Sequence, residues 1–175
     1  MTQGTGVFGF ALLAIFCASS AGSALAQSTG CSLRPAVSAQ RQTLNCEPGL
    51  SITIERGASY QLADRNRDGH VDSVKLNSKA VLVDVDSNRV KDGFEVVTPQ
   101  AIAAVRGTRW AVDAQRNKTD VLVLRGRVGV NRVNARTGVT LGAGEGVDVD
   151  NGRGPLRVNR WQQPRITALM ARLGQ

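Results

Sequence analysis

The chain has 175 residues, 42% hydrophobic and 21% charged, with nineteen glycines and five prolines, the composition of one ordinary folded domain rather than a disordered or collagenous chain. One histidine and three cysteines are too few for a Cys/His zinc cluster and for most histidine-dependent catalysis, which argues against an enzyme. A formal net charge of +8 calls either for an anionic partner or for a solvated basic face that keeps the protein in solution.

In chain order the first expected element is a leader. Residues 1–26 carry no charged side chain, and the apolar run at 7–16 (VFGFALLAIF) is followed by small residues ending in Ala24-Leu25-Ala26. That order predicts a signal peptide cut before Gln27 and a periplasmic or secreted product, although the opening MTQGTG lacks the usual Lys or Arg. The run is shorter than the roughly eighteen to twenty residues a membrane span needs. Cys17 follows bulky Phe16, where lipoprotein processing wants a small residue, so it leaves with the leader. Residues 27–50 form an N-terminal segment in which Cys31 and Cys46 remain. Two cysteines in an oxidising compartment most simply pair, and closing a loop of about fifteen residues is worth about 3 kcal/mol in the chain-entropy model. A redox pair normally shows closer C-x-x-C spacing.

Residues 51–150 alternate with period two in short runs: Ile52/Ile54, Tyr60/Leu62, Val74/Leu76, Val81/Val83/Val85, Phe94/Val96, Trp110/Val112, Val121/Val123, Val128/Val130, Val139/Leu141 and Val147/Val149. Gly, Asn, Asp or a charge bounds each run, which predicts half-buried strands joined by tight turns. The regular spacing fits either a β-solenoid-like stack or a sandwich. Between two of these strands, DRNRDGHVD places Asp64, Asn66, Asp68 and Asp72 at positions 1, 3, 5 and 9 of a calcium loop, with Gly69 at position 6. Position 12 is Lys75 where a carboxylate belongs, and Arg65 and Arg67 weaken the field. An Asx-rich turn is the favoured reading, with calcium a weak alternative.

The most specific segment runs from residue 97. VTPQAIAAVRGTRWAVD, TDVLVLRGRVGV and VTLGAGEGVDV together resemble the FecR domain of bacterial cell-surface signalling regulators, in which a "TP…A.VRGT.F.V" segment leads through a "T.V.V..G.V.V" hairpin to "V.L..GEG..V". Thr98, Pro99, Ala104, Val105, Arg106, Gly107, Thr108, Val112, Gly126, Leu141, Gly144 and Gly146 occupy those places, and Trp110 stands where Phe is commoner. The resemblance is clear over about residues 94–150 and looser back to Leu50. It implies a β-rich, solenoid-like periplasmic module that binds another protein or senses an envelope signal. The cytoplasmic sigma-factor-binding segment of the regulators has no counterpart in this sequence, so contact with a sigma factor is not expected. Within the motif, Gly107 reads as a structural corner rather than a ligand site.

After Pro164, RITALMARL places Ile166, Leu169, Met170 and Leu173 at helical spacing, with Gly174 behind. Residues 151–175 therefore form an extension whose helix caps an open end or edge of the strands. Residues 31–98 hold nine Lys or Arg and nine Asp or Glu, whereas residues 99–175 hold thirteen against five. Arg106, Arg109, Arg125 and Arg127 are the candidate contacts for an anionic partner, with Arg132, Arg136, Arg153, Arg157 and Arg160 extending the stripe. Glu145 sits in a turn where its carboxylate is placed to pair with that stripe. Glycosidase chemistry needs only two carboxylates, and Asp113, Asp120, Glu145, Asp148 and Asp150 share the β region, yet nothing in their spacing favours it.

The sequence thus predicts an all-β protein, solenoid-like or a sandwich of short strands, with a short C-terminal helix. It predicts no catalytic residues, no cofactor and no obligatory metal. The expected partner is an envelope protein or an anionic cell-wall or membrane component, not nucleic acid. The alternative function is a cell-wall or anionic polysaccharide-binding module that uses the Arg-rich face.

Overall fold

Period-two alternation becomes strands wherever one side of the chain finds an apolar neighbour, and among the described residues thirteen such segments do. The computed structural model describes residues 1–2, 30–34, 41–135 and 137–175; the predicted leader with Cys17, and Arg136, lie outside the described residues. The strands are β1 Cys31–Arg34, β2 Arg41–Cys46, β3 Leu50–Glu55, β4 Ser59–Ala63, β5 Ser73–Val85, β6 Phe94–Val97, β7 Ala101–Val105, β8 Arg109–Ala114, β9 Lys118–Arg125, β10 Val128–Arg132, β11 Gly138–Leu141, β12 Glu145–Asp150 and β13 Val158–Arg160, and α1 spans Gln163–Arg172. The protein is all-β with one short C-terminal helix, as the alternation predicts.

The long strand β5, thirteen residues, organises the rest. Its first half pairs with β4 and in parallel with β6, and its second half pairs with β3 and β8. Between the halves Lys79 takes a left-handed φ of 66°, opposite a Gly57 at 72°, so the β3–β4 ribbon and β5 turn the corner together. One layer, sheet A, therefore runs β1-β2-β3-β5-β8-β9-β12-β13, and the other, sheet B, runs β4-β5-β6-β7-β10-β11. Among the described residues all pairings are antiparallel except β5 with β6. That register excludes a solenoid, whose stacked strands run parallel, and gives a folded-over sheet that nearly closes into a barrel.

The core lies between the layers. Ile52, Ile54, Val81, Val83, Val112, Val121 and Val123 of sheet A meet Val74, Leu76, Phe94, Val96, Val128, Val130 and Leu141 of sheet B in one buried cluster. Valine dominates, as the 4% aromatic content requires, and Trp110, 0% exposed, is the largest side chain. It meets Phe94 edge-on at 6.2 Å between centroids. Its indole N–H has no hydrogen-bond partner, so the larger ring adds apolar contact and leaves one donor unpaired.

The opposite pleat of sheet A forms a second cluster. Ala80, Leu82, Ala111 and Leu122 pack against Trp161, Leu169, Met170 and Leu173. The helix therefore covers the outer face of sheet A rather than an open end or edge, because β5, β8 and β9 carry apolar residues on both faces. Ten residues without a side-chain N-cap are too few for a helix to persist alone. Packing and ion pairs hold it: Arg172 reaches Glu55 at 2.6 Å and Asp113 at 2.7 Å, and Arg165 reaches Asp120 at 3.1 Å and also Asp148.

Candidate functional site

The motif residues gather where the two layers meet. Thr98, Pro99, Gln100 and Ala101 form the β6–β7 turn, closed by the Thr98 N–H on the Ala101 carbonyl at 2.8 Å. The buried Thr98 hydroxyl bonds that of Thr119 on β9 at 2.8 Å, and Thr119 donates to Gln100 Oε1 at 2.9 Å. Gln100 in turn donates to the Arg116 carbonyl. This satisfied chain ties a turn of sheet B to sheet A, so the Thr-Pro of the motif has a structural reason.

At the other end, Val105-Arg106-Gly107-Thr108 links β7 to β8. Gly107 has φ +68° and its missing Cβ would lie 2.3 Å from Ser87 Cβ. Gly126, at φ +87°, leaves room for Thr108 Oγ1, 2.9 Å from where a Cβ would stand. That hydroxyl, fully buried, donates to the Arg127 carbonyl at 3.0 Å. The corner reading of Gly107 agrees with this geometry. Gly144 has φ +80° and lies against Arg160, while Gly146 seats the Trp161 indole, whose Nε1 would be 2.2 Å from an added Cβ. Glu145, expected to meet an arginine, instead accepts from the Gly142 N–H at 2.6 Å, because the turn brings that donor closer than any guanidinium.

The structure divides the four candidate arginines. Arg109 and Arg125 share Asp84 on sheet A, at 3.9 and 2.8 Å, and Arg109 also meets Gln175. Arg106 and Arg127 are exposed and have no carboxylate partner among the described residues. Farther along the stripe, Arg132 is paired with Asp150 at 2.8 Å and holds its carboxyl below the ordinary carboxylate range. The two unpaired arginines line a groove of sheet B with Arg65, Phe94, Glu95 and Ala104. In sequence they are indistinguishable from their neutralised neighbours; only strand register separates them.

A row of carboxylates crosses sheet A. Asp113 stands opposite Asp120, and Asp120 opposite Asp148. Burial raises Asp120 above the ordinary aspartate value, against the pull of Lys118 and Arg165 and with the help of Asp148. The hydrogen bonds that Arg172 donates to Asp113 and Glu55 hold it firmly in its charged form. Arg172 and Arg165 of the helix engage the buried Asp113 and Asp120, and Asp148 at the end of the row stays exposed. The sequence contained both halves of this lock, but nothing in their spacing tied helix arginines to strand aspartates.

The Asp64–Asp72 loop is an Asx-rich turn. Asp64 accepts from the N–H groups of Asp68 and Gly69, Asp68 from that of His70, and Asp72 from those of Arg65 and Asn66. The His70 N–H, above all, lowers the Asp68 carboxyl from its ordinary value. Asp72 also faces Arg65, which bridges to Glu95 at 2.6 Å, so the position-9 carboxylate turns toward a cation already in the chain. Cys31 and Cys46 are bridged and stand directly opposite each other on β1 and β2.

The sequence model of the family described as FecR protein matches residues 36–129, more than half of the chain and all strands from β2 to the start of β10. The chain belongs to the FecR family. Two crystal structures of a "putative anti-sigma factor" from Parabacteroides distasonis ATCC 8503 resemble this FecR chain in fold. One has a TM-score of 0.57 and 19% identity, covering 74% of this chain and 60% of that one; the other has a TM-score of 0.58 and 18% identity, covering 80% and 64%. At these identities the likeness shows the fold, and the FecR chain spans less than two thirds of the length of either. None of the curated proteins matches it. The match ends at Gly129, short of the Gly-Glu-Gly segment, the Gly146–Trp161 seat and α1.

Proposed function

We propose that this FecR chain is a non-enzymatic module of the bacterial envelope that binds another protein or senses an envelope signal. The observation that carries the reading is the family match over residues 36–129, joined to a fold shared with proteins described as anti-sigma factors. The Cys31–Cys46 bridge accords with an oxidising compartment, and the leader read from the sequence accords with export. No nucleophile, base and orienting group come together among the described residues: Cys31 and Cys46 are bridged, and Asp113 and Asp120 of the carboxylate row are engaged by Arg172 and Arg165. The partner is an envelope protein rather than a sigma factor.

The arginine face needed for wall polymer is narrower than the stripe, because Arg109, Arg125 and Arg132 each sit on a carboxylate, which leaves Arg106 and Arg127 apart from Arg153, Arg157 and Arg160. The test is export of the tagged chain with a photo-cross-linking amino acid placed singly at Ala104, Lys75, Arg125 and Arg157. A discrete protein adduct in the periplasmic fraction, from at least one site, is the expected result. A chain retained in the cytoplasm with free thiols, or one that sediments with purified sacculi and forms no protein adduct, overturns the proposal.

A further inference from the structure

We propose that Arg106 and Arg127 form a two-guanidinium clamp on sheet B that grips a carboxylate side chain in an acidic segment of a partner protein laid across the Ala104–Gly129 strip. The inference rests on the protein-binding reading and adds to it the place and the chemistry of the partner.

Register is the first argument. Val105 of β7 pairs with Val128 of β10, so Arg106 and Arg127, the next residues outward, occupy opposed positions. Like charges directly opposite one another destabilise a sheet. Here the repulsion stands uncompensated, since neither has a carboxylate partner among the described residues, while the arginines on either side are neutralised. The platform beneath is rigid: Gly107 and Gly126 take left-handed turns, and the Thr108 hydroxyl holds the Arg127 carbonyl. Two forked guanidiniums on a fixed corner match the oxygens of one carboxylate.

The adjoining surface is the second argument. Exposed Ala104 stands opposite half-buried Gly129, which stands opposite Thr140. The next row carries Val97, Ile102 and Asn131. Ala104 and Gly129, between Glu95 and Thr140 in one row, are the low point of this face, where another backbone can lie close. The equivalent outer face of sheet A is covered by α1; no described element covers that of sheet B.

Charge selects the occupant. Membrane recruitment takes a cluster of about four to eight basic residues, and here only Arg106 and Arg127 of the groove's cations lack an ion pair among the described residues, since Arg65 is engaged by Asp72 and Glu95. A second copy docked about a two-fold axis on this face sets arginine pair against arginine pair. An acidic protein segment meets both cations and leaves the apolar strip for its other side chains.

The experiment is a fluorescence-anisotropy titration of the full chain with labelled octaglutamate at about 50 mM salt, where exposed charges are weakly screened. Saturable binding is expected, weakened at least tenfold in R106Q/R127Q and less than threefold in R109Q/R125Q and in R153Q/R157Q. The melting temperature of R106Q/R127Q is expected to hold or rise, which separates lost binding from lost folding. Equal weakening in all three double variants, or no saturable binding, overturns the clamp. Binding to phosphatidylglycerol vesicles that R106Q/R127Q abolishes, with octaglutamate binding unchanged, overturns it in favour of lipid. In each case adducts from the cross-linking sites show whether the protein-binding reading survives without the clamp.

Discussion

At the scale of single residues, the motif glycines are steric necessities. An alanine at Gly107 must hold φ near +68° and place its Cβ 2.3 Å from Ser87 Cβ, and the left-handed conformation alone costs about 1–2 kcal/mol. Gly107→Ala is therefore expected to lose at least about 2 kcal/mol in urea denaturation, while Arg106→Gln beside it changes stability by less than about 0.5 kcal/mol. Asp120 sets a pH signature. Its carboxyl is raised in the folded protein by burial, so the folded state binds the proton more tightly than the unfolded chain does. Its contribution then falls as pH rises from the ordinary aspartate value through the raised one. The stability of Asp120→Asn relative to the unmutated protein should rise over that interval, read from denaturation midpoints between about pH 3 and 7. At the Asp64–Asp72 loop the carboxylates already hold backbone N–H groups and Arg65. Melting in millimolar calcium and in chelator should coincide, and a calcium-dependent rise lost in Asp68→Ala would restore the metal alternative.

At the scale of elements, α1 and β1 are the two that cannot stand alone. Leu173, 0% exposed, anchors the helix end, and a buried leucine replaced by alanine costs about 2–5 kcal/mol. Arg172→Ala leaves buried Asp113 without its guanidinium, a loss of about 1–3 kcal/mol. Because α1 packs on the outer face of sheet A and contributes nothing to the inter-sheet cluster, either change is expected to strip hydrogen-exchange protection from α1 first. Simultaneous loss in the β6–β7 hairpin would show that helix and sandwich unfold as one. The helix itself was legible in the sequence through Ile166, Leu169, Met170 and Leu173. Its seat was not, because Ala80, Leu82, Ala111 and Leu122 interleave with residues that face the core, and alternation reports one face only when the other is polar.

At the scale of the whole molecule, the four-residue edge strand β1 is joined to the sheet by its pairing with β2 and by the Cys31–Cys46 bridge. Releasing a loop of about fifteen residues costs about 3 kcal/mol in the chain-entropy model, so Cys31→Ser/Cys46→Ser should lower the unfolding free energy by about 2–4 kcal/mol, read as a lower denaturation midpoint. Reductant should do the same to the unmutated protein, and an unchanged midpoint would mean that the strand order alone holds the edge. The sequence by itself determined the class of this protein: valines at period two can bury one side only in sheets, and the Thr-Pro, Val-Arg-Gly-Thr and Gly-Glu-Gly turns are local geometries that carry their own chemistry. The pairing of Cys31 with Cys46, expected on the reading that Cys17 leaves with a leader, is the bridge that the structure holds. Tertiary structure alone decided which strands are neighbours, that β5 serves two layers, and which arginines meet a carboxylate. Those outcomes depend on residues brought together from distant parts of the chain, Arg172 with Glu55 and Arg125 with Asp84, and no local pattern records such a meeting.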